Sequence, residues 1–183
     1  MNKYIKKRIL TFGLILLAGI ITSFINSFSP IAIILFAPGI LLGLAVTIPH
    51  FDKSKKQIIA LSTLPLLMTL LWFSCFGIGL ILGIVNNSYD DKTGVIFLGV
   101  ISSFLFAVII DMYYPISNKI FSYSILIILG ITSTLLCNYF FLEPNSKELN
   151  FGKMILIWEI LVGLGFTIFV EFDWNIKKES IAE

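Results

Sequence analysis

Runs of about 20 mostly apolar residues, parted by short polar stretches, recur at roughly 9–28, 31–49, 64–85, 93–110, 119–142 and 154–171. Each is long enough to cross the hydrocarbon of a bilayer as a helix, and the alternation of a membrane β-barrel is absent. Open strands would leave backbone groups unpaired in lipid, so the pattern predicts six transmembrane helices. The third run extends from Ile59 to Val85. "LSTLPLLM" marks where its helix is expected to begin, with Ser62 or Thr63 as cap and Pro65 in the first turn. A proline is tolerated there because its missing N–H has no partner to lose. The connections "NSFSP", "NNSYDDK" and "EPNSKELNFGK" are too short to house a soluble domain. The expectation is therefore an all-α, polytopic bundle forming a single transmembrane domain over residues 1–183.

Composition strengthens this reading. Apolar residues make up 57% of the 183 and charged residues 13%, against roughly 45–50% and 25% for soluble domains. A soluble globule of this size has too little interior for that much apolar surface. The net charge of +2 says little, but its placement orients the chain. With the N-terminus inside, the inner segments hold Lys3, Lys6, Lys7, Arg8, Lys53, Lys55, Lys56, Lys119, Lys177 and Lys178, and the outer ones Lys92, Lys147 and Lys153. This excess on one side predicts cytoplasmic termini in a cell (inner or plasma) membrane. Tyr4, Tyr113, Tyr114 and Trp174 then fall at the inner boundary, and Tyr89 and Tyr139 near the outer one. "MNKYIKKR" followed by "ILTFGLILLAGIIT" also has the layout of a signal peptide. Phe24, Ile25 and Phe28 continue the apolar run through the place where cleavage would fall, so an uncleaved first helix is expected.

Lipid gives helices no hydrophobic reason to associate, so small residues that admit close approach matter. Gly39 and Gly43 form a GxxxG in the second span, and Gly79 and Gly83 another in the third. Gly19, Ser23 and Asn26 share a face of the first; Gly130, Thr134 and Asn138 stack on the fifth; Gly163 lies in the sixth. These positions suit packing within the bundle, and equally a face for a second membrane protein or another copy of the chain. "ILLGLAVTI" (40–48) and "ILVGLGFTI" (160–168) match at six of nine positions, each followed by Phe-Asp and a lysine pair. A reduced alphabet of Ile, Leu, Val and Gly produces such matches without a repeat. If the repeat is real, three tandem hairpins are implied, and Gly39 and Glu159 are equivalent positions.

Glu159 is the residue out of place. It lies eight positions into the sixth run, about 12 Å deep at ~1.5 Å per residue. Thr134 and Asn138 fall at similar levels on the fifth run, which a short connection makes a neighbour. These three form the candidate intramembrane polar site. An ionised group at a helix centre costs about 2.5–3.5 kcal/mol, whereas keeping a Glu neutral at pH 7 costs about 3.7 kcal/mol. The two are comparable, and no Lys or Arg lies at that depth. Desolvation then decides, and the carboxyl is expected to be largely protonated and hydrogen-bonded to Thr134 or Asn138.

Other chemistry is sparse. There is no HExxH, GxSxG or phosphate loop, so an enzyme is not expected, and no cofactor, metal site or nucleic-acid partner is indicated. His50 has too few companions for a metal site and reads as an interfacial histidine. Asp52, Asp111, Glu171 and Asp173 read as solvated boundary charges, Cys75 and Cys137 as buried free thiols. Trp72 is too deep for a belt residue. Two functions remain. The glycine faces and the near absence of polar groups within the spans favour an accessory subunit that assembles with another membrane component. The alternative is a small-molecule or proton/cation-coupled transporter, or a substrate-binding membrane subunit, using Glu159. In size and span count alone the chain is similar to the substrate-capturing subunits of energy-coupling-factor vitamin transporters, and no binding motif is shared residue by residue. Infrared titration tests the acid: a protonated-carboxyl band at neutral pH that disappears in Glu159→Gln is expected, and no such band means the group is ionised.

Overall fold

Segments that are apolar on every side satisfy their backbones internally and have no single stripe to hide, so they can pack on several neighbours at once. The computed structural model describes residues 3–28, 31–50, 55–86, 92–141 and 151–170. Among them the elements are all helical: α1 (Lys3–Phe28), α2 (Ile31–Thr47) with a 3-10 turn (Ile48–His50), α3 (Lys55–Asn86), α4 (Lys92–Tyr113), α5 (Lys119–Phe141) and α6 (Phe151–Phe169). Each helix packs on its neighbours in the chain, and α6 returns to pack on α1. The result is a closed ring of six helices.

Side-chain pairings fix the directions. Tyr113 and Tyr114 of α4 meet Thr63 and Gln57 of α3, and Gly165 of α6 meets Leu129 of α5. Ile15 and Gly19 of α1 meet Gly163 and Glu159 of α6. Position numbers fall on one helix as they rise on the next, so these neighbours are antiparallel. The end holding Arg8, His50 and the α4–α5 turn is termed the basal end.

Missing side chains draw four seams tight, among them α5–α6, where a Cβ on Gly165 would collide with Leu129 Cδ1. A Cβ on Gly39 would collide with the α3 backbone at Thr69, and one on Gly43 with the backbone of Pro65. On α4, a Cβ at Gly99 would lie 2.7 Å from the carbonyl oxygen of Gly130, and a Cβ at Gly130 would overlap the Ser103 hydroxyl. Between α1 and α6, a Cβ on Gly163 would come within 2.7 Å of Ile15 Cγ2. Gly79 and Gly83 lie on α3, and their surroundings fall outside the described residues.

The outward surface is apolar. Leu66 and Leu70 are 62% and 60% exposed, and Ile58, Phe24, Met112 and Ile120 also face outward. Outward hydroxyls turn back on their own helices: Ser74 donates to the Leu70 carbonyl and Thr132 to that of Ile128, each at 2.8 Å. Local pairing of this kind leaves few polar groups for the surroundings to satisfy. Ile5–Ile25, Gln57–Cys75, Ile96–Tyr113 and Lys119–Cys137 are long and apolar enough to cross a membrane. Phe36–His50 and Ile155–Phe169 are shorter apolar stretches of α2 and α6.

The basal end departs from expectation in two places. α3 begins at Lys55, not near Leu64, so Pro65 lies inside the helix. Ser62 and Thr63 do not cap; their hydroxyls donate to the Ile59 carbonyl at 2.9 and 2.7 Å. The proline leaves one carbonyl of α3 without its usual donor, and α2 comes close to α3 at this point because Gly43 faces the Pro65 backbone. Asp111 is not a solvated boundary charge. It accepts from the Ile116 N–H at 2.8 Å and the Tyr123 hydroxyl at 3.1 Å, and pairs with Lys119 at 2.7 Å. The side chain of Asn118 accepts from the Phe121 N–H, which caps α5. Tyr114 is buried, donates to Gln57 Oε1 at 3.1 Å and packs against buried His50. Arg8 closes the ring at this end by donating to the Ile168 and Val170 carbonyls at 2.9 and 3.2 Å. Those carbonyls end α6 and have no helical donors of their own.

The seams carry a prediction. Gly39→Ala sets a Cβ against backbone that has no rotamer to yield, and should destabilise the protein in detergent by about 1–3 kcal/mol. Gly13→Ala, with nothing within 4 Å of the new atom, should cost nothing. Denaturant unfolding of both variants reads this, and equal losses would discount close approach as the source of seam stability.

Candidate functional site

Inside the ring is a cavity of about 50 Å³. Its walls come from Pro38, Gly39 and Leu42 of α2; Met68, Leu71, Trp72 and Cys75 of α3; Leu98 and Ser102 of α4; Thr134 of α5; and Ile155, Trp158 and Glu159 of α6. The contributions of α4, α5 and α6 lie in the half remote from the basal end. The walls are overwhelmingly apolar, and the one carboxyl among them is Glu159.

Glu159 is 1% exposed. Its Oε2 has no hydrogen-bond partner among the described residues. A Cβ on Gly19 would lie 2.6 Å from that oxygen and 3.1 Å from Leu156 Cδ1, so the carboxyl occupies space that only glycine leaves on α1. Thr22, three residues along from Gly19, is fully buried and its hydroxyl also lacks a partner among the described residues. Buried polar groups are normally paired, so two orphans on facing helices mark an unusual place.

Glu159 and Thr134 are brought to the wall of the same cavity. The expected hydrogen bond between them is not formed. Thr134 Oγ1 lies 3.2 and 2.9 Å from the carbonyl oxygens of Gly130 and Ile131 and donates within its own helix. Asn138 is one turn further along α5, and its side chain lies outside the described residues. Trp72 lines the cavity and is half-buried. Cys75 and Cys137 are free and buried, and Cys75 also faces the cavity.

Beside the acid, Trp158 reaches past α5 to α4 and donates from Nε1 to Ser103 Oγ at 3.2 Å. Gly130 makes this possible, because the space its missing Cβ leaves is filled by the Ser103 hydroxyl. Phe106 packs edge-on against both Trp158 and Phe166, with ring centroids 5.6 and 5.7 Å apart. The indole is therefore held in place immediately before the carboxyl in the chain. Sequence reading did not pair Trp158 with Ser103 or Glu159 with Gly19. The one available signal was that Gly19 begins a small-residue face.

Among the described residues, no three His, Cys, Asp or Glu side chains gather to hold a metal ion. No ion pair to Glu159 occurs among them either. No protein-family model, curated protein or solved structure matches the chain.

A double-mutant cycle checks the support of the site. Ser103→Ala and Trp158→Phe each remove the indole hydrogen bond, and their coupling should be about 0.6–1.7 kcal/mol, the range for interhelical bonds in membranes. Additive losses in denaturant unfolding would show that this bond contributes nothing.

Proposed function

We propose that the protein is a six-span integral protein of the cell membrane, with both termini in the cytoplasm, that binds a small molecule or cation within its ring, as a transporter or substrate-binding membrane subunit. The observation that carries this is the Glu159 carboxyl, buried at the wall of an internal cavity with an oxygen that nothing in the described protein satisfies. An intramembrane acid is costly, and a packing role would be served by a hydrogen bond that Glu159 does not make. Cavities of this make-up, apolar with one or two fixed polar groups, are the usual form of small-ligand sites.

Six spans and cytoplasmic ends rest on the six apolar helices, their antiparallel order and the ten basic residues on one side against three on the other. α2 and α6 are 17 and 19 residues long, close to the lower limit for crossing, and they sit between longer helices. Of the glycine faces that favour an accessory subunit, the one at Gly39 and Gly43 is turned to α3, within the ring. The outward apolar surface suits lipid as well as a partner protein.

A thermal-shift screen of the purified protein against vitamins, inorganic ions and small polar solutes is the test. At least one compound should raise the melting temperature in a saturable way, and Glu159→Ala should abolish that response. Absence of any response, together with a stoichiometric co-purifying membrane protein, would replace this reading with the accessory one.

A further inference from the structure

We infer that the ligand of this cavity carries an ammonium group, –NH₃⁺, on a very small body: ammonium itself or a primary amine of a few heavy atoms. This rests on the ligand-binding reading above and narrows it by chemistry.

Among the described residues, the wall holds more free acceptors than free donors. Thr134 spends its one proton on a carbonyl of its own helix, leaving oxygen lone pairs. Ser102 does the same, with its hydroxyl 3.3 Å from the Gly99 carbonyl oxygen. The Trp158 N–H is spent on Ser103. Pro38 has no backbone N–H to offer. The donors left are the Trp72 indole, on a half-buried side chain, and the weakly donating Cys75 thiol. Against these stand two hydroxyl oxygens and the Glu159 carboxyl, which accepts with both oxygens once a cationic guest displaces its proton. A site so biased takes a guest that is rich in donors.

Charge and coordination narrow the guest further. Among the described residues no cationic side chain lines the cavity, so an anion would find no countercharge there. A hard metal cation such as Na⁺ needs a shell of several oxygens, and the described wall offers side-chain oxygens from three residues. An ammonium group needs few acceptors, and Trp72 and Trp158 place two aromatic rings on the same wall, the kind of group that attracts a cation. The volume of about 50 Å³ limits the body that follows the charged head.

Methylammonium chloride, titrated into the purified full-length protein in detergent, is the probe; tetramethylammonium and sodium chlorides at equal ionic strength are the controls. Saturable stabilisation by methylammonium and none by the other two is expected. Glu159→Gln should weaken the apparent affinity about 10–100-fold, as loss of a hydrogen bond to a charged group does. Thr134→Val, which keeps shape and removes one acceptor, should weaken it about 2–10-fold and carries the test if Glu159→Gln does not fold. Equal responses to methylammonium and tetramethylammonium, or an unchanged response in both variants, would overturn the inference. A Glu159-dependent response to a neutral or anionic solute, with none to methylammonium, would overturn the amine class and leave the ligand-binding reading standing. No response to any compound would remove both.

Discussion

Helices immersed in lipid gain nothing from hiding apolar side chains on one another, so everything here depends on backbones that come close enough for dense van der Waals contact. Glycine supplies that at four seams: Gly39 and Gly43 against α3, Gly99 with Gly130 between α4 and α5, Gly165 of α6 against α5, and Gly163 with Gly19 between α6 and α1. Two of them share a local detail. Thr47 and Thr167 each donate to the carbonyl of the glycine four residues earlier, Gly43 and Gly163, at 2.6 and 2.9 Å. The matched strings of α2 and α6 thus use the same device, each turning its glycine to a neighbour in the ring.

The polar groups divide into three kinds. Outward hydroxyls are satisfied by their own helices, as at Ser74 and Thr132. Basal groups satisfy one another across helices: Asp111 with Lys119, Tyr123 and the turn, and Tyr114 with Gln57. Glu159 belongs to neither kind. The surrounding side chains hold it in place and leave its Oε2 without a partner among the described residues. Trp158 is fixed by Ser103 and by Phe106, and Gly19 leaves the carboxyl its space.

The helices were legible in the sequence because each apolar run carries its own signal. The start of α3 was misplaced because a proline after Ser-Thr resembles a helix entrance, whereas Pro65 sits inside a helix that begins ten residues earlier, at Lys55. Glu159 was legible as an anomaly, since a carboxylate in an apolar run is conspicuous by itself. Its surroundings were not. Proximity in the chain pointed to α5 and to Thr134, and Thr134 does reach the same cavity. The oxygen nevertheless lies against Gly19, because the ring joins the first helix to the last, and no local pattern encodes that contact. The Trp158–Ser103 bond was hidden for a similar reason, since it skips a helix and depends on the absence of a side chain at Gly130.

Arg8 of α1 clasps the carbonyls of Ile168 and Val170, which lie 160 and 162 positions further along the chain. During synthesis α1 therefore has no partner on this flank until α6 emerges, and the pocket lacks the helix that contributes its carboxyl. A chain stopped before α6 has neither the closed ring nor the buried acid.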